Sequence, residues 1–516
     1  MMTAKKNHSK ALLIFIIAII VVFLVLPIGL FFGLIYDNHT KKLTFTDVPN
    51  TQAVGTRVMV DAFDTTQSQE KVHLSVTESD FDQLLYFAKS QIGSGASKYV
   101  KKFYCDISGN EYIFYVDLQA SFLKTRILLK TTMNTSVSNR IELKIDHIKV
   151  GRIKVGMDRV KSFTGGFDLQ KIFAQAGLGH AQFDNATNTL IYEVEGLIED
   201  ITKMMGNAKD IDFMIEMMNE LIRLDKIRTY SNSALTVDMD LSSFDVRDNI
   251  YYDDTFVKVD RDIKGKIADV LGPKVVSKEI EEKNLKAEFK NLYKTVFVDS
   301  EPHDYKVAEK VTQKFKDSAA DYLMEPPVPI TFVMNEHELN EYLGGISLMG
   351  ETYVVSRYTD DGGYKMAYMI FDNFYCKIEK DALIFVMTIN VNGFPIVVDF
   401  VANDVDPENH SFGKIDLRID EIKLGNENIS DAFKERLYKF MFDALKNKSN
   451  ETCLSMGEDR ILSFNFVEPI QKGIDAYTDE KGLPRQELTD EKTTAICHLM
   501  EDHTLKLDVI RKTVTP

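Results

Sequence analysis

Apolar and charged residues alternate along two distant stretches of this chain, and the stretches match position by position. The first is IELKIDHIKVG, from Ile141 to Gly151, and the second is IDLRIDEIKLG, from Ile415 to Gly425. An alternation with a period of two predicts a β-strand with one buried face. In both stretches the alternation then shifts by one residue, at Asp146-His147 and at Asp420-Glu421. One extra residue turns the following side chains to the opposite face, so the pattern predicts a β-bulge at each place.

The same order of elements precedes each of these strands. Both segments open with an alternating strand and a capping residue, Thr77 or Asn335, followed three positions later by Asp80 or Glu338. Apolar residues then recur at i, i+3, i+4 and i+7, the spacing of one buried helix face. They are Phe81, Leu84, Leu85 and Ala88 in the first segment, and Leu339, Tyr342, Leu343 and Ile346 in the second.

Both segments continue as a β-meander, then a helix, a strand, a second helix and a closing strand. The predicted helices are 168–176, Asp210–Leu224, Ile429–Leu445 and Thr489–Asp502. We therefore interpret residues 72–250 and 330–516 as two copies of one α+β domain, each an antiparallel sheet curled on helices.

Residues 251–329, which resemble neither copy, are predicted to form a helical bridge that packs on at least one domain. Helices are expected over Ser277–Val298 and Asp304–Met324. In the second of them, one apolar stripe at i+4 spacing contains Val307, Val311, Phe315, Ala319 and Leu323. The sequence EPPVP at 325–329 is a stiff boundary, because proline fixes φ and lacks an amide donor.

An uncharged, almost wholly apolar stretch at residues 11–36 predicts a transmembrane helix, since about 20 such residues cross a bilayer. The stretch is longer than a signal-peptide core, and no small-residue cleavage site follows it. Lys5, Lys6 and Lys10 precede it, so residues 1–10 are predicted to be cytoplasmic. The bulk of the chain is then extracytoplasmic, beginning with a stalk at 37–71 that contains one strand near Val58–Phe63.

A net charge of −16 over 516 residues argues against a nucleic-acid partner, which would require a basic surface. It also argues against broad docking on anionic lipid, although a local basic patch remains compatible with it. No CxxC pair occurs, which argues against a structural zinc site. The four cysteines, whose disulfide state the sequence leaves open, are Cys105, Cys376, Cys453 and Cys497.

Motifs that would carry catalysis or bind a metal are weak in this sequence. His498 and His503 are five residues apart, a spacing that does not place them on one helix face. The glycines of Gly151–Gly156 lack the Lys-Ser/Thr pair of a phosphate loop. We expect no enzyme activity, no cofactor and no metal.

The strand, cap and helix at Leu74–Ala88 and at Ile330–Ile346, together with the strands that end at Gly151 and Gly425, resemble the YpmS-like family of Gram-positive bacteria. In that family, proline-rich turns follow the glycine; here those prolines are missing. The resemblance implies a membrane-anchored, extracytoplasmic α+β protein of the cell envelope. Its helix-wrapped sheet is in turn similar to tubular lipid-binding (TULIP-like) domains.

Two functions remain open from the sequence. A sheet that curls around a helix without being filled by it leaves a groove for a lipid or another apolar ligand. Its lining would include Phe81, Leu84, Leu85, Leu339, Tyr342 and Leu343, all of which are equally compatible with ordinary core packing. The alternative is an envelope scaffold that binds other envelope proteins and has neither ligand nor catalysis.

Overall fold

The fold is mixed α+β, with an antiparallel sheet that curls into a half-barrel. The computed structural model describes Leu34 and residues 51–64, 66–91, 98–120, 123–134, 139–156, 180–184, 186–204, 212–252, 266–267, 269–277, 284–298, 307–343, 352–358, 364–407, 412–446, 453–457 and 459–512.

The chain divides into two compact units that are not consecutive in sequence. The first unit contains the described residues within 1–59, 73–209 and 225–239, and the second contains those within 60–72, 210–224 and 240–516. The segment 210–224 therefore comes from the first predicted copy in sequence and belongs to the second unit.

The first half of the chain contains five helices and ten strands in its described part. In chain order they are α1 Thr51–Asp64, α2 Thr66–Gln69, β1 Lys71–Thr77, α3 Glu78–Gln91, β2 Val100–Ser108, β3 Glu111–Ala120, β4 Leu123–Asn134, β5 Arg140–Val150, β6 Ile153–Val155, β7 Gln182–Asp184, β8 Thr189–Glu193, α4 Val194–Met204, α5 Asp212–Arg223, β9 Ile227–Ser231 and β10 Ala234–Asp240. Two 3₁₀ turns follow, Ser242–Phe244 and Val246–Asp248.

Short helices occupy the described part of the predicted bridge: α6 Asp269–Val276, α7 Leu285–Tyr293 with a π-helical turn at Lys294–Val298, α8 Val307–Asp317 and α9 Ala319–Leu323. The first two pack on the second sheet. Leu271 and Phe289 of these helices lie in one buried cluster with Tyr368 and Ile370. The bridge residues in this cluster thus belong to the core of the second unit.

The second half repeats the strand pattern with one added strand. Its elements are β11 Ile330–Asn335, α10 Glu336–Leu343, β12 Thr352–Tyr358, β13 Tyr364–Glu379, β14 Ala382–Val391, β15 Phe394–Asp404, β16 Lys414–Leu424, β17 Glu427–Asn428, α11 Asp431–Lys446, β18 Leu454–Met456, β19 Ile461–Asn465, α12 Val467–Lys481, β20 Thr493–Leu499 and β21 Thr504–Arg511.

Strand order is the same in the two halves. The first large sheet runs β2-β3-β4-β5-β8-β7 with β6 paired to β5, and the second runs β13-β14-β15-β16-β19-β18 with β17 paired to β16. Strand β12 extends the second sheet beyond β13. Each half also has a three-stranded sheet, ordered β1-β10-β9 or β11-β21-β20.

Both predicted β-bulges are confirmed. Lys130 pairs with His147 and Thr131 with Ile145, so the strand register skips Asp146. Val401 pairs with Glu421 and Ala402 with Ile419, so the register skips Asp420. The extra residue returns the apolar side chains of each strand to one face.

Three local predictions were wrong. Thr489–Asp502 contains strand β20, whose successive residues, three of them β-branched, alternate between buried and half-buried positions. Val58–Phe63 belongs to α1, where Val54, Val58 and Ala62 are buried at i+4 spacing. Asp304–Met324 breaks at Ser318, which moves Tyr322 into the core in place of Leu323.

Three predicted segments lie wholly or mostly outside the described residues: the cytoplasmic tail at 1–10, the helix at 168–176 and the span at 11–36, of which Leu34 alone is described. Residues 37–50 of the predicted stalk also lie outside them. Among the residues that are described, no helix combines the length and the apolar character needed to cross a membrane.

Candidate functional site: the inner face of the first sheet

Helix α3 is fixed against strand β2 by its first two turns. Asp80 accepts a hydrogen bond of 2.7 Å from the Thr77 backbone nitrogen, as the predicted cap requires, and a second of 2.8 Å from Arg57 Nε. Asp82 and Glu78 then accept bonds from the backbone nitrogens of β2, at Cys105 (2.7 Å) and Ile107 (3.0 Å). These bonds satisfy amide groups that β2, an edge strand, would otherwise leave unpaired.

The helix places Phe81 over one face of the first sheet, which we call the inner face. Its ring meets Tyr112 and Phe114 edge-on, with centroids 6.1 and 6.4 Å apart. Phe81, Leu84 and Leu85 are each half-buried. The first three predicted ligand contacts therefore lie on α3 with part of their surface accessible.

Cross-strand pairing shows which strand residues share that face, because directly paired residues project to the same side. One row joins Phe103, Val116, Ile127 and Val150, and ends at Ile153 on β6. A second row joins Phe114, Leu129 and Ile148. These eight side chains are all apolar; seven are half-buried, and Ile153 is 39% exposed.

The second sheet has the same rows, but there the side chains are buried. Its first row joins Phe374, Met387, Val398 and Leu424, and its second joins Phe385, Phe400 and Ile422. None of these seven is more than 7% exposed. Position Ile153 corresponds to Glu427, which pairs with Leu424.

Aromatic side chains of two helices cover the inner face of the second sheet. Phe440 of α11 stacks on Phe371 of β13 with ring centroids 3.9 Å apart. Phe213 of α5 lies against both Phe371 and Phe433, at 5.0 and 5.7 Å. In the second unit, α5 and α11 therefore fill the space that faces the sheet.

The remaining predicted contacts belong to α10. Leu339 is fully buried in the core of the second unit. Tyr342 and Leu343 lie on the helix, but their side chains fall outside the described part of the chain. Four of the six predicted ligand contacts have side chains that the structure describes. Phe81, Leu84 and Leu85 on α3 are partly accessible, whereas Leu339 on α10 is buried.

The rim of the inner face lies next to the predicted membrane span. Gly151 adopts a left-handed conformation with φ of 59° and forms the tight turn between β5 and β6. The next backbone nitrogen, that of Arg152, donates a hydrogen bond of 2.6 Å to the carbonyl oxygen of Leu34. Val150 and Ile153, on either side of this turn, are therefore close to the end of the 11–36 stretch.

A second polar cluster surrounds His180 in the first unit. Its Nδ1 lies 3.0 Å from Asp200 and its Nε2 lies 3.3 Å from Glu199, while Tyr192 donates a hydrogen bond to Asp200. Burial, reinforced by Asp200, raises the pKa of Tyr192 well above its ordinary value, so it stays a neutral donor. We interpret this network as structural. No group of three His, Cys, Asp or Glu side chains in the described residues is arranged to hold a metal.

All four cysteines are buried, and none of them is in a disulfide. Burial raises the pKa of Cys453 to about 12 and that of Cys376 well above the ordinary value, so neither forms the reactive thiolate near neutral pH.

Comparisons of this chain with protein-family models, curated proteins and solved structures found no match.

Proposed function

We propose that this protein binds a lipid or a similar apolar ligand on the inner face of its first sheet, outside the membrane that residues 11–36 anchor it to. The observation that carries the proposal is the contrast between matched positions. The same two rows of apolar side chains are half-buried in the first sheet and buried in the second.

The chemistry of the inner face favours a flexible hydrocarbon. The eight residues of its two rows span five strands and include no charged or hydrogen-bonding side chain, while Tyr112 on the same face is buried and donates its hydroxyl to Ser231. Burying one of these side chains from full exposure contributes roughly 1.5–3 kcal/mol, so covering the part that is still exposed contributes at most about 1 kcal/mol. Over eight side chains the upper limit is therefore ~8 kcal/mol, the free energy of a micromolar complex, before the cost of association.

The matching strand orders, bulges and helix-to-strand hydrogen bonds support descent of residues 72–250 and 330–516 from one duplicated domain. In this proposal the second copy has its inner face filled by α5 and α11 and serves as structure. The first copy retains the ligand-binding face.

The Leu34–Arg152 hydrogen bond supports the membrane as the source of the ligand. It joins the end of the apolar stretch to the turn that borders the inner face. An acyl chain leaving the outer leaflet would meet Val150 and Ile153 first. The resemblance to the YpmS-like family and to TULIP-like domains agrees with an envelope protein that handles lipid without catalysis.

Native mass spectrometry of the full chain released from lipid nanodiscs tests the proposal. We expect one retained lipid in the parent and at least a tenfold lower lipid-bound fraction in Val116→Asn, because the amide would be buried against hydrocarbon without a partner. Ile113→Asn is the matched control. It lies on the same strand and is also half-buried, but it projects to the opposite face.

A parent protein that retains no lipid would contradict ligand binding. If stoichiometric envelope proteins then co-purified with it, the scaffold function would be favoured instead.

A further inference from the structure

The opposite, outer face of the first sheet carries a cluster of basic side chains at the same end as the Leu34–Arg152 contact. Lys130 and His147 are paired across β4 and β5, and Lys149 and Lys154 are paired across β5 and β6. Together with Arg152, these residues form what we call the hairpin basic patch. Arg152 and Lys154 are exposed, and the other three are half-buried.

The side chains around His147 show that the patch is positive. Burial, followed by the charges of Lys154, Lys149 and Lys130, lowers the pKa of His147, while Asp146 opposes that change. Glu111 forms an ion pair with Lys130. In the described contacts of these side chains, Asp146 and Glu111 are thus set against Lys130, Lys149, Arg152 and Lys154, in a protein whose net charge is −16.

The corresponding surface of the second copy lacks the positive charge of the hairpin basic patch. The corresponding residues are Val401, Glu421, Lys423, Asn426 and Asn428. Lys423 is itself paired with Glu421 at 2.8 Å. At these matched positions the first copy, which follows residues 11–36, therefore has four Lys or Arg side chains, and the second copy has one.

We propose that the hairpin basic patch docks on anionic phospholipid headgroups of the membrane in which the chain is anchored. The inference rests on the proposed anchor and deepens the proposed function. The β5–β6 hairpin presents Lys149 and Lys154 to headgroups on one face and Val150 and Ile153 to hydrocarbon on the other. Docking holds the rim of the inner face at the bilayer surface, where an acyl chain can enter.

The absence of tryptophan from the chain makes a specific test available. Ile153→Trp introduces a single reporter at an exposed site on the hairpin. The full-length variant is placed in nanodiscs of phosphatidylcholine and phosphatidylglycerol, with bromine on the acyl chains of one lipid at a time. We expect brominated phosphatidylglycerol to quench the fluorescence about twofold more than brominated phosphatidylcholine at equal mole fraction.

Adding Lys149→Gln and Lys154→Gln should abolish this preference, and about 0.5 M salt should weaken it, because salt screens exposed charges. Lys472→Gln with Lys481→Gln, at exposed positions of α12, changes the net charge equally and should preserve the preference. Val155→Trp provides a second reporter on the same hairpin.

Equal quenching by the two lipids in chains that are incorporated into discs would overturn the inference and leave ligand binding untouched. Loss of the preference in the α12 control would also overturn it. A chain that fails to incorporate into discs overturns the anchor and this inference together.

Discussion

The side-chain amide of Asn249 donates a hydrogen bond of 2.7 Å to the Oδ2 atom of Asp399, a carboxylate that is 2% exposed. Its Oδ1 atom has no hydrogen-bond partner in the described structure. Burial raises the pKa of Asp399 to about 6, although Asn249 and Lys423 oppose the rise. Burial therefore favours the protonated, neutral form of Asp399 in the second unit.

Asp399 should make stability depend on pH in a defined direction. Because its pKa is raised on folding, its stabilising contribution is present below about pH 4 and is lost as the pH rises through about 6. Asp399→Asn should raise the free energy of unfolding at pH 7.5 by up to about 3 kcal/mol, with little change at pH 4. Thermal unfolding at both pH values measures this, with Glu491→Gln, an exposed site, as control. A variant less stable than the parent at pH 7.5 would contradict it.

The contact between α3 and β2 should tolerate Asp82→Asn but not Asp82→Ala. In the second copy Asn340 occupies the equivalent position, accepting from the Cys376 nitrogen at 2.6 Å and donating to its oxygen at 2.8 Å. Alanine leaves a buried amide unpaired, which costs about 1–3 kcal/mol. Chemical denaturation of both variants measures the difference, and equal stability of the two would show that the hydrogen bond is unimportant.

Helices α8 and α12 are closely packed at Gly473, and a side chain should not fit there. A Cβ at this position would lie 2.4 Å from the Thr312 carbonyl oxygen and 2.9 Å from Phe315 Cβ. Gly473→Ala should lower stability by about 2–4 kcal/mol, because two backbones must separate. Lys472→Ala, at the adjacent exposed position, should change it by less than about 0.5 kcal/mol in the same melting assay.

The thiols should be inaccessible in the native protein. Iodoacetamide should leave the folded chain unmodified and modify all four cysteines after denaturation, since each is buried and none is in a disulfide. Intact-mass measurement before and after unfolding counts the added groups. A chain that takes up fewer than four groups after denaturation without reductant would reveal a disulfide.

The sequence predicts the helix caps and β-bulges correctly, because each depends on residues that are close together in the chain. The caps at Thr77 and Asn335 depend on residues three positions apart, and both form. The bulges at Asp146 and Asp420 could be predicted because the alternation shifts within the strand itself. The helix predicted at Thr489–Asp502 is wrong because this segment alternates with the period of a strand, whereas Asp210–Leu224 contains helix α5.

The accessible residues of the inner face could not be selected from the sequence. Phe114 and Phe385 are the same residue type at the same strand position, yet one is half-buried and the other fully buried. The difference arises from what covers each sheet, and in the second unit part of that cover is α5, a helix from the other copy. Pattern alone does not show which unit such a helix joins.

The division of segments between the units has a consequence for the order in which the protein can be made. Asn392 donates a hydrogen bond of 2.7 Å to the carbonyl oxygen of Phe63, a residue 329 positions earlier. A nascent chain halted near residue 330 would expose residues 60–72 and α5 without the strands that receive them. The second unit can therefore assemble only after most of the polypeptide has left the ribosome, and closing so long a loop slows that step.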